Sequence, residues 1–180
     1  MNAGENKLKS LSELKLIVAN LGKLITARKS DLPTMGKSAD FAHPSVDVDV
    51  AGYHYIVVER GAEIRRETTC DLDQLLFWIF ENVSFLMAIR QVGTANEVDR
   101  DQRRDYFARQ MELLKKLKPE WGEAIRQKQT EIIEKFPFDD FARSRARYCK
   151  ELRDKGVPNE EAWQTACEKY PLKEVGPQEH

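Results

Sequence analysis

Two residues of the chain have the chemistry of a nucleophile and its base. Cys70, in TTCDLDQ, stands where a helical period begins, and a helix N-terminus can lower a thiol pKa and favour the thiolate. With His54 as base, the pair would make a small thiol-dependent hydrolase. No local signature of a cysteine hydrolase surrounds either residue, and a small apolar thiol packed beside a helix start is the commoner role. Asp47 and Asp49 could serve as a general acid and base or as two cation ligands, but the spacing of a strand puts both on its solvated side. Neither His43 nor His54 lies at ligand spacing from a cysteine or a helical carboxylate, so neither a metal nor a cofactor is expected. No G-x-G-x-x-G, P-loop, G-x-S-x-G or H-E-x-x-H motif occurs. The expectation is a protein that is not an enzyme, with thiol chemistry at Cys70 as the alternative.

Binding chemistry has two candidate stretches. In ARSRARY, Arg143 and Arg147 stand one turn apart with Tyr148 beside them, a pattern that can contact phosphates and stack on a base. Glu151 follows Arg147 by one turn, Asp139 and Asp140 precede the cluster, and 29 Lys and Arg against 30 Asp and Glu leave a net charge of −1. Such a balance gives no field toward a polyanion, so no nucleic-acid partner is expected. The other stretch, DRDQRRDYFARQ, puts seven charged residues into the twelve positions from Asp99 to Gln110. An inward stripe of Phe107, Gln110, Met111, Leu114 and Leu117 runs through its helix, and stepping back from Phe107 by three or four reaches Arg103 and Arg104, then Arg100. Asp101 with Arg104 and Asp105 with Arg109 are spaced for local pairing. An arginine turned inward needs a carboxylate, and Glu81, flanked by Phe77 and Phe85, or Glu59 at a hairpin turn can supply it. A structural ion pair between Arg103 or Arg104 and Glu81 or Glu59 is therefore predicted.

The elements that must position these residues follow from periodicity. Ser10 and Glu13 make a capping box ahead of a helix of about 17 residues. Lys29 to Pro44 carries Pro33, Gly36 and Pro44 with no sustained period and reads as a long loop. Three β-rich runs follow, from VDVDV to the charged AEIRRETT, and predict a three-stranded antiparallel meander whose third strand is a charge-defended edge. From Asp71 a helix apolar nearly all round belongs in the core. Helical patterns then span Val98 to Lys118, Pro119 to Phe136, Asp140 to Lys155 and Asn159 to Tyr170, before a tail read as disordered. The fold class is α+β: an N-terminal helix and a three-stranded meander sheet packed by a mostly helical C-terminal half. Residues 1–140 are expected to form one domain and 141–180 a helical extension.

The N-terminus MNAGENKLKS has no apolar leader, and the apolar run LLFWIFENVSFLMAI, broken by Glu81 and Asn82, is too short to span a bilayer. Three widely spaced cysteines, Cys70, Cys149 and Cys167, suit free thiols in a reducing compartment. A cytoplasmic protein with no membrane partner is expected.

The stretches GYHYIVVERG, TTCDLDQLLFWIF, DQRRDYFARQMELLKKL and WGEAIRQKQTEIIEKFPFDD carry an E-R-G turn, an apolar helix with an aromatic pair and an R-R-x-x-F-x-x-Q helix. In these the chain resembles the immunity protein 63 family of bacterial polymorphic toxin systems, over roughly Leu11 to Asp140. The resemblance implies a cytoplasmic antitoxin encoded beside a toxin, whose partner is that cognate toxin and whose action is stoichiometric occlusion. Three surfaces could then make the contact. Asp47, Asp49, Asp139 and Asp140 could imitate phosphates toward a nuclease. Arg60, Glu63, Arg65 and Glu67, on the third strand and its turn, could meet an acidic or mixed surface. The loop from Lys29 to Pro44 is the third.

Overall fold

The structure, a computed structural model, describes residues 8–93 and 100–172. Helix α1 spans Leu11–Leu24, 14 residues where about 17 were expected. Its capping box is complete: Ser10 N donates to Glu13 Oε2 at 2.9 Å, and Glu13 N donates to Ser10 Oγ at 3.3 Å. Leu14 and Val18 are buried on its inward face.

The following segment is more ordered than a loop without period suggests. It holds a 3-10 turn, Lys29–Asp31, and a strand β1, Thr34–Met35, which pairs in parallel with β2, Pro44–Asp49. The sheet is therefore four-stranded and mixed, in the order β1-β2-β3-β4, and the meander expected from the sequence is its antiparallel part. Two residues are too few to show a period, so β1 leaves no mark in the sequence.

Strand β3, Gly52–Glu59, is buried along most of its length, and β4, Ala62–Thr69, is the expected charged edge. Arg60 and Gly61 close the β3–β4 hairpin, both at positive φ (53° and 77°), as a two-residue turn following the strands' twist requires. Gly52 is fixed more tightly, because a Cβ there would lie 2.5 Å from the carbonyl oxygen of Thr69.

Helix α2, Leu72–Val92, starts at Asp71, whose carboxylate accepts from Asp73 N at 2.9 Å. With 21 residues it is long and apolar enough to cross a bilayer by length and composition, longer than the interrupted run suggested; half of its most apolar window is buried inside the fold. Leu75, Ile79, Phe80, Val83 and Met87 pack in one core with Val46, Tyr53 and Tyr55 of the sheet. Helices α3, Arg103–Leu117, and α4, Pro119–Lys135, supply Leu113, Leu114, Trp121 and Ile125 to that core, and Trp121 stacks on Phe80 at 6.1 Å. The expected start of α3 at Val98 lies outside the described residues.

Two buried glutamines bind the helices together. Gln110 Nε2 donates to the Glu81 carbonyl at 3.0 Å, and Gln129 Nε2 donates both to Gln110 Oε1 at 2.9 Å and to the Phe107 carbonyl at 3.2 Å. The inward position of Gln110 is thereby explained.

The inward arginines pair differently from the expectation. Glu81 is held by Lys128 at 2.8 Å and Glu59 is exposed at the hairpin end, so neither receives Arg103 or Arg104. Arg103 instead turns back onto Asp101, with Nη2 2.6 Å from Oδ2, and donates to the Phe136 and Pro137 carbonyls at 2.7 and 2.8 Å. Arg104 reaches Asp140 at 3.2 Å, its guanidinium 4.0 Å over the Phe138 ring. Both serve the loop that follows α4, because the start of α3 points at that loop while Glu81 lies along the body of α2. Asp101 completes the junction by accepting from Asp139 N at 2.9 Å, and its own N–H donates to Asp140 Oδ1 at 2.9 Å. Burial raises the Asp101 pKa, but the Arg103 guanidinium and the two backbone N–H groups outweigh that and hold it below the usual range.

Helices α5, Ala142–Asp154, and α6, Asn159–Lys169, pack on each other around a separate small cluster of Cys149, Ala162 and Ala166. Arg145, 3% exposed, ties them to the junction: it pairs with Asp139 and donates to the Tyr170 carbonyl at 2.9 Å.

Two outcomes are expected. Arg103→Ala strips the partly buried Asp101 of its counter-charge and frees two carbonyls, which costs about 3 kcal/mol in urea unfolding. Arg100→Ala and Arg109→Ala, whose ion pairs are solvated, cost at most about 1 kcal/mol; equal losses across the set would refute the junction. A chain truncated after Asp140 keeps a cooperative melt, because the main core draws no side chain from α5 or α6; a melt without a sigmoidal transition would assign those helices to the core.

Candidate partner-binding site

On the outer face of the sheet, Asp47, His54 and Thr68 share one row of the register. Asp47 accepts from the neighbouring Val48 N at 2.8 Å. His54, 6% exposed, has Nδ1 2.9 Å from Thr68 Oγ1, and its Nε2 lies 2.8 Å from Asp49 Oδ1. Asp49 also accepts from Ala51 N at 2.7 Å, and His54 first, then that N–H, holds its carboxyl below the usual range. Both ring nitrogens of His54 are thus directed at Thr68 and Asp49, while the exposed Cys70 donates its thiol to the Ala51 carbonyl at 3.6 Å. Among the described residues no group of three or more His, Cys, Asp or Glu is placed to hold a metal.

The charged edge does not present one uniform face. Val57 pairs with Arg65 but Val58 pairs with Glu63, so β4 carries one extra residue, Ile64, in a bulge. Glu63 is moved to the face opposite Arg65 and Glu67, where it takes both Arg66 donors at 2.9 and 2.7 Å. Arg65 and Glu67 lie on the Tyr55 side, paired at 3.4 Å, with the Arg65 guanidinium 5.1 Å over the Tyr55 ring. Arg60 stands exposed at the hairpin tip, and Gly61 N donates to Asp40 Oδ2 at 3.2 Å. Asp139 and Asp140 are engaged with Arg145, Arg104 and the Asp101 N–H, which leaves them less free to imitate phosphates than the sequence suggested. On α5, Arg143 and Arg147 each have partners within the chain, and Lys169 Nζ sits 4.0 Å over the Tyr148 ring.

A concave surface opens elsewhere. Between α1 and the segment 27–43 runs a groove of about 1110 Å³ with an apolar floor that includes Val18, Leu32, Pro33 and Met35. Lys15, Ala19, Gly22 and Lys23 line one wall, at i, i+4, i+7 and i+8 of α1. A Cβ on Gly22 would come within 3.1 Å of Leu32 Cδ2, so the glycine is what lets the two walls approach. The opposite wall is rigidly held: Asp31, 6% exposed, receives two Arg90 donors at 2.7 and 2.9 Å, His43 Nε2 is 3.1 Å from the Leu32 carbonyl, and Gly36 N donates to the Val46 carbonyl at 2.7 Å. The sequence contained the small-and-basic stripe of α1, but without the segment that crosses opposite it the stripe reads as an ordinary solvated face.

Residues 49–131 match the family model described as Immunity protein 63. The match supports the resemblance to that family. It runs from the β2–β3 turn into α4, narrower than the Leu11 to Asp140 span of the resembling stretches, and takes in Cys70, Glu81, Arg103 and Arg104 but not the groove. No curated protein and no solved structure matches the chain.

The pinned wall carries a pH signature. The Arg90 guanidinium holds the Asp31 carboxyl below its ordinary value, so the pair's contribution is complete above the unfolded aspartate pKa of about 4 and is lost as pH falls through the lower folded value. Asp31→Asn is expected to be less stable than wild type at neutral pH, with the gap closing in acid. A stability difference constant from pH 7 to pH 3 would refute this.

Proposed function

We propose that this chain is an immunity protein that binds a cognate toxin protein in the cytoplasm of the producing bacterium and neutralises it by stoichiometric occlusion. The match over residues 49–131 carries this reading. The matched segment is mostly scaffold, the central helix with β3, β4, α3 and most of α4, and a rigid scaffold suits a protein whose work is to present a surface. The enzyme alternative at Cys70 draws no support from His54, whose ring nitrogens are directed at Thr68 and Asp49.

Co-expression with the toxin gene lying next to this chain's gene tests the proposal. Wild-type protein is expected to restore growth and to co-elute with the toxin domain at one-to-one stoichiometry. Cys70→Ser is expected to protect as well as wild type. A folded Cys70→Ser protein that fails to protect would return the thiol-enzyme reading, and wild-type protein that neither protects nor co-elutes would refute neutralisation.

A further inference from the structure

In a protein of nearly balanced charge, the groove between α1 and segment 27–43 is locally one-sided. Lys15 and Lys23 stand on one wall and Lys29 and Lys37 on the other, with no carboxylate among the lining residues. All four are exposed, and none takes part in an ion pair among the described residues, whereas many other basic side chains of the chain are paired. Four like charges around an apolar floor repel one another and are brought to balance by a ligand that supplies the opposite sign.

We infer that this groove is the primary docking site for an acidic amphipathic segment of the partner protein, its apolar side chains on the floor and its carboxylates against the four lysines. The inference rests on the neutralisation reading for the identity of the partner. The spread of charge selects a polypeptide over a small amphiphile: Lys15 and Lys23 are eight residues apart, about 12 Å along the helix, and the other two lysines face them across the groove. A fatty-acid headgroup satisfies one such position, whereas a segment with several carboxylates satisfies them together. The floor has the character of an anchor pocket, apolar and already formed, because Asp31, Gly36 and His43 hold its far wall. The groove also lies before residue 49, on the part of the chain outside the family match, where chemistry particular to one partner can sit without disturbing the shared scaffold.

The test uses the full chain, two polypeptide probes, the toxin domain encoded by the adjacent gene and a synthetic amphipathic peptide of about 15 residues with Glu on one helix face and Leu on the other, and sodium laurate as a small-amphiphile control. Calorimetry compares wild type with K15E/K23E/K29E/K37E, with Ala19→Trp, which fills the groove without changing its charge, and with R65E/E67R on the sheet edge. The charge-reversed variant is expected to melt near wild type and to bind both probes about a hundredfold more weakly. Ala19→Trp is expected to weaken both, and R65E/E67R to bind as wild type does. Toxin binding that survives both groove variants overturns the inference and leaves neutralisation standing. Wild-type protein that binds the peptide in the groove but not the toxin upholds the acidic-segment site and overturns neutralisation. Binding of sodium laurate without binding of the peptide gives the groove to a small amphiphile, and self-association abolished by the charge reversal gives it to a second copy; either result overturns the inference.

Discussion

Much of the apolar surface of α2 is covered by its neighbours, with Leu86 and Ile89 left exposed, and the burial of the rest governs the arrangement of the other elements. The sheet takes one flank through Val46, Tyr53 and Tyr55, and α3 and α4 close the other with Leu113, Leu114, Trp121 and Ile125. Each large apolar side chain removed from water contributes about 1.5–3 kcal/mol, so the wrapping of this one helix dominates the stabilisation of the domain. Its ends are fixed by charge: Asp73 near the start takes Lys118 at 2.8 Å, and Arg90 near the end takes Asp31. The same helix therefore positions both the α3–α4 corner and the far wall of the groove.

Apolar packing is weakly directional, and polar ties set how the wrapping elements sit. The Gln129–Gln110–Glu81 carbonyl relay satisfies buried donors and acceptors only in one mutual placement of α2, α3 and α4. Asp101 plays the corresponding part at the surface: one carboxylate gathers Arg103 and the backbone of Asp139 and so sets the course of the chain from α4 into α5. Ion pairs of this kind contribute little net stability when counted against an apolar replacement, but they penalise misplacement strongly.

Under the proposed binding role, scaffold and contact surface are separable. The family match falls on the scaffold, and the groove with its four lysines falls outside it, on α1 and the segment that crosses it. Two of the four carboxylates that the sequence offered as a contact surface, Asp139 and Asp140, are engaged in holding the chain together. A residue's type thus says less about partner contact than whether its charge is already balanced within the fold.

Local signals were legible in the sequence by itself. The Ser10–Glu13 capping box, the alternating β2, the β3 apolar on both faces, the charged edge strand and the all-round apolar α2 each rest on contacts between residues close in the chain, and each stands close to where the pattern placed it. The α+β class followed from their order. Only the tertiary structure decided the remainder, because it depends on pairings across dozens of residues. Strand β1 is a strand only because β2 lies beside it, and the bulge at Ile64 that separates Glu63 from Arg65 exists only in the register with β3. Spacing pointed Arg103 and Arg104 inward, yet both are only partly covered, and which acid each meets is set by where the α4–α5 loop returns, which brings Asp140 to Arg104 and leaves Asp101 to Arg103. Asp31 and Arg90 are 59 positions apart and gave no joint signal, yet their pair is what turns a loop and a helix face into a groove.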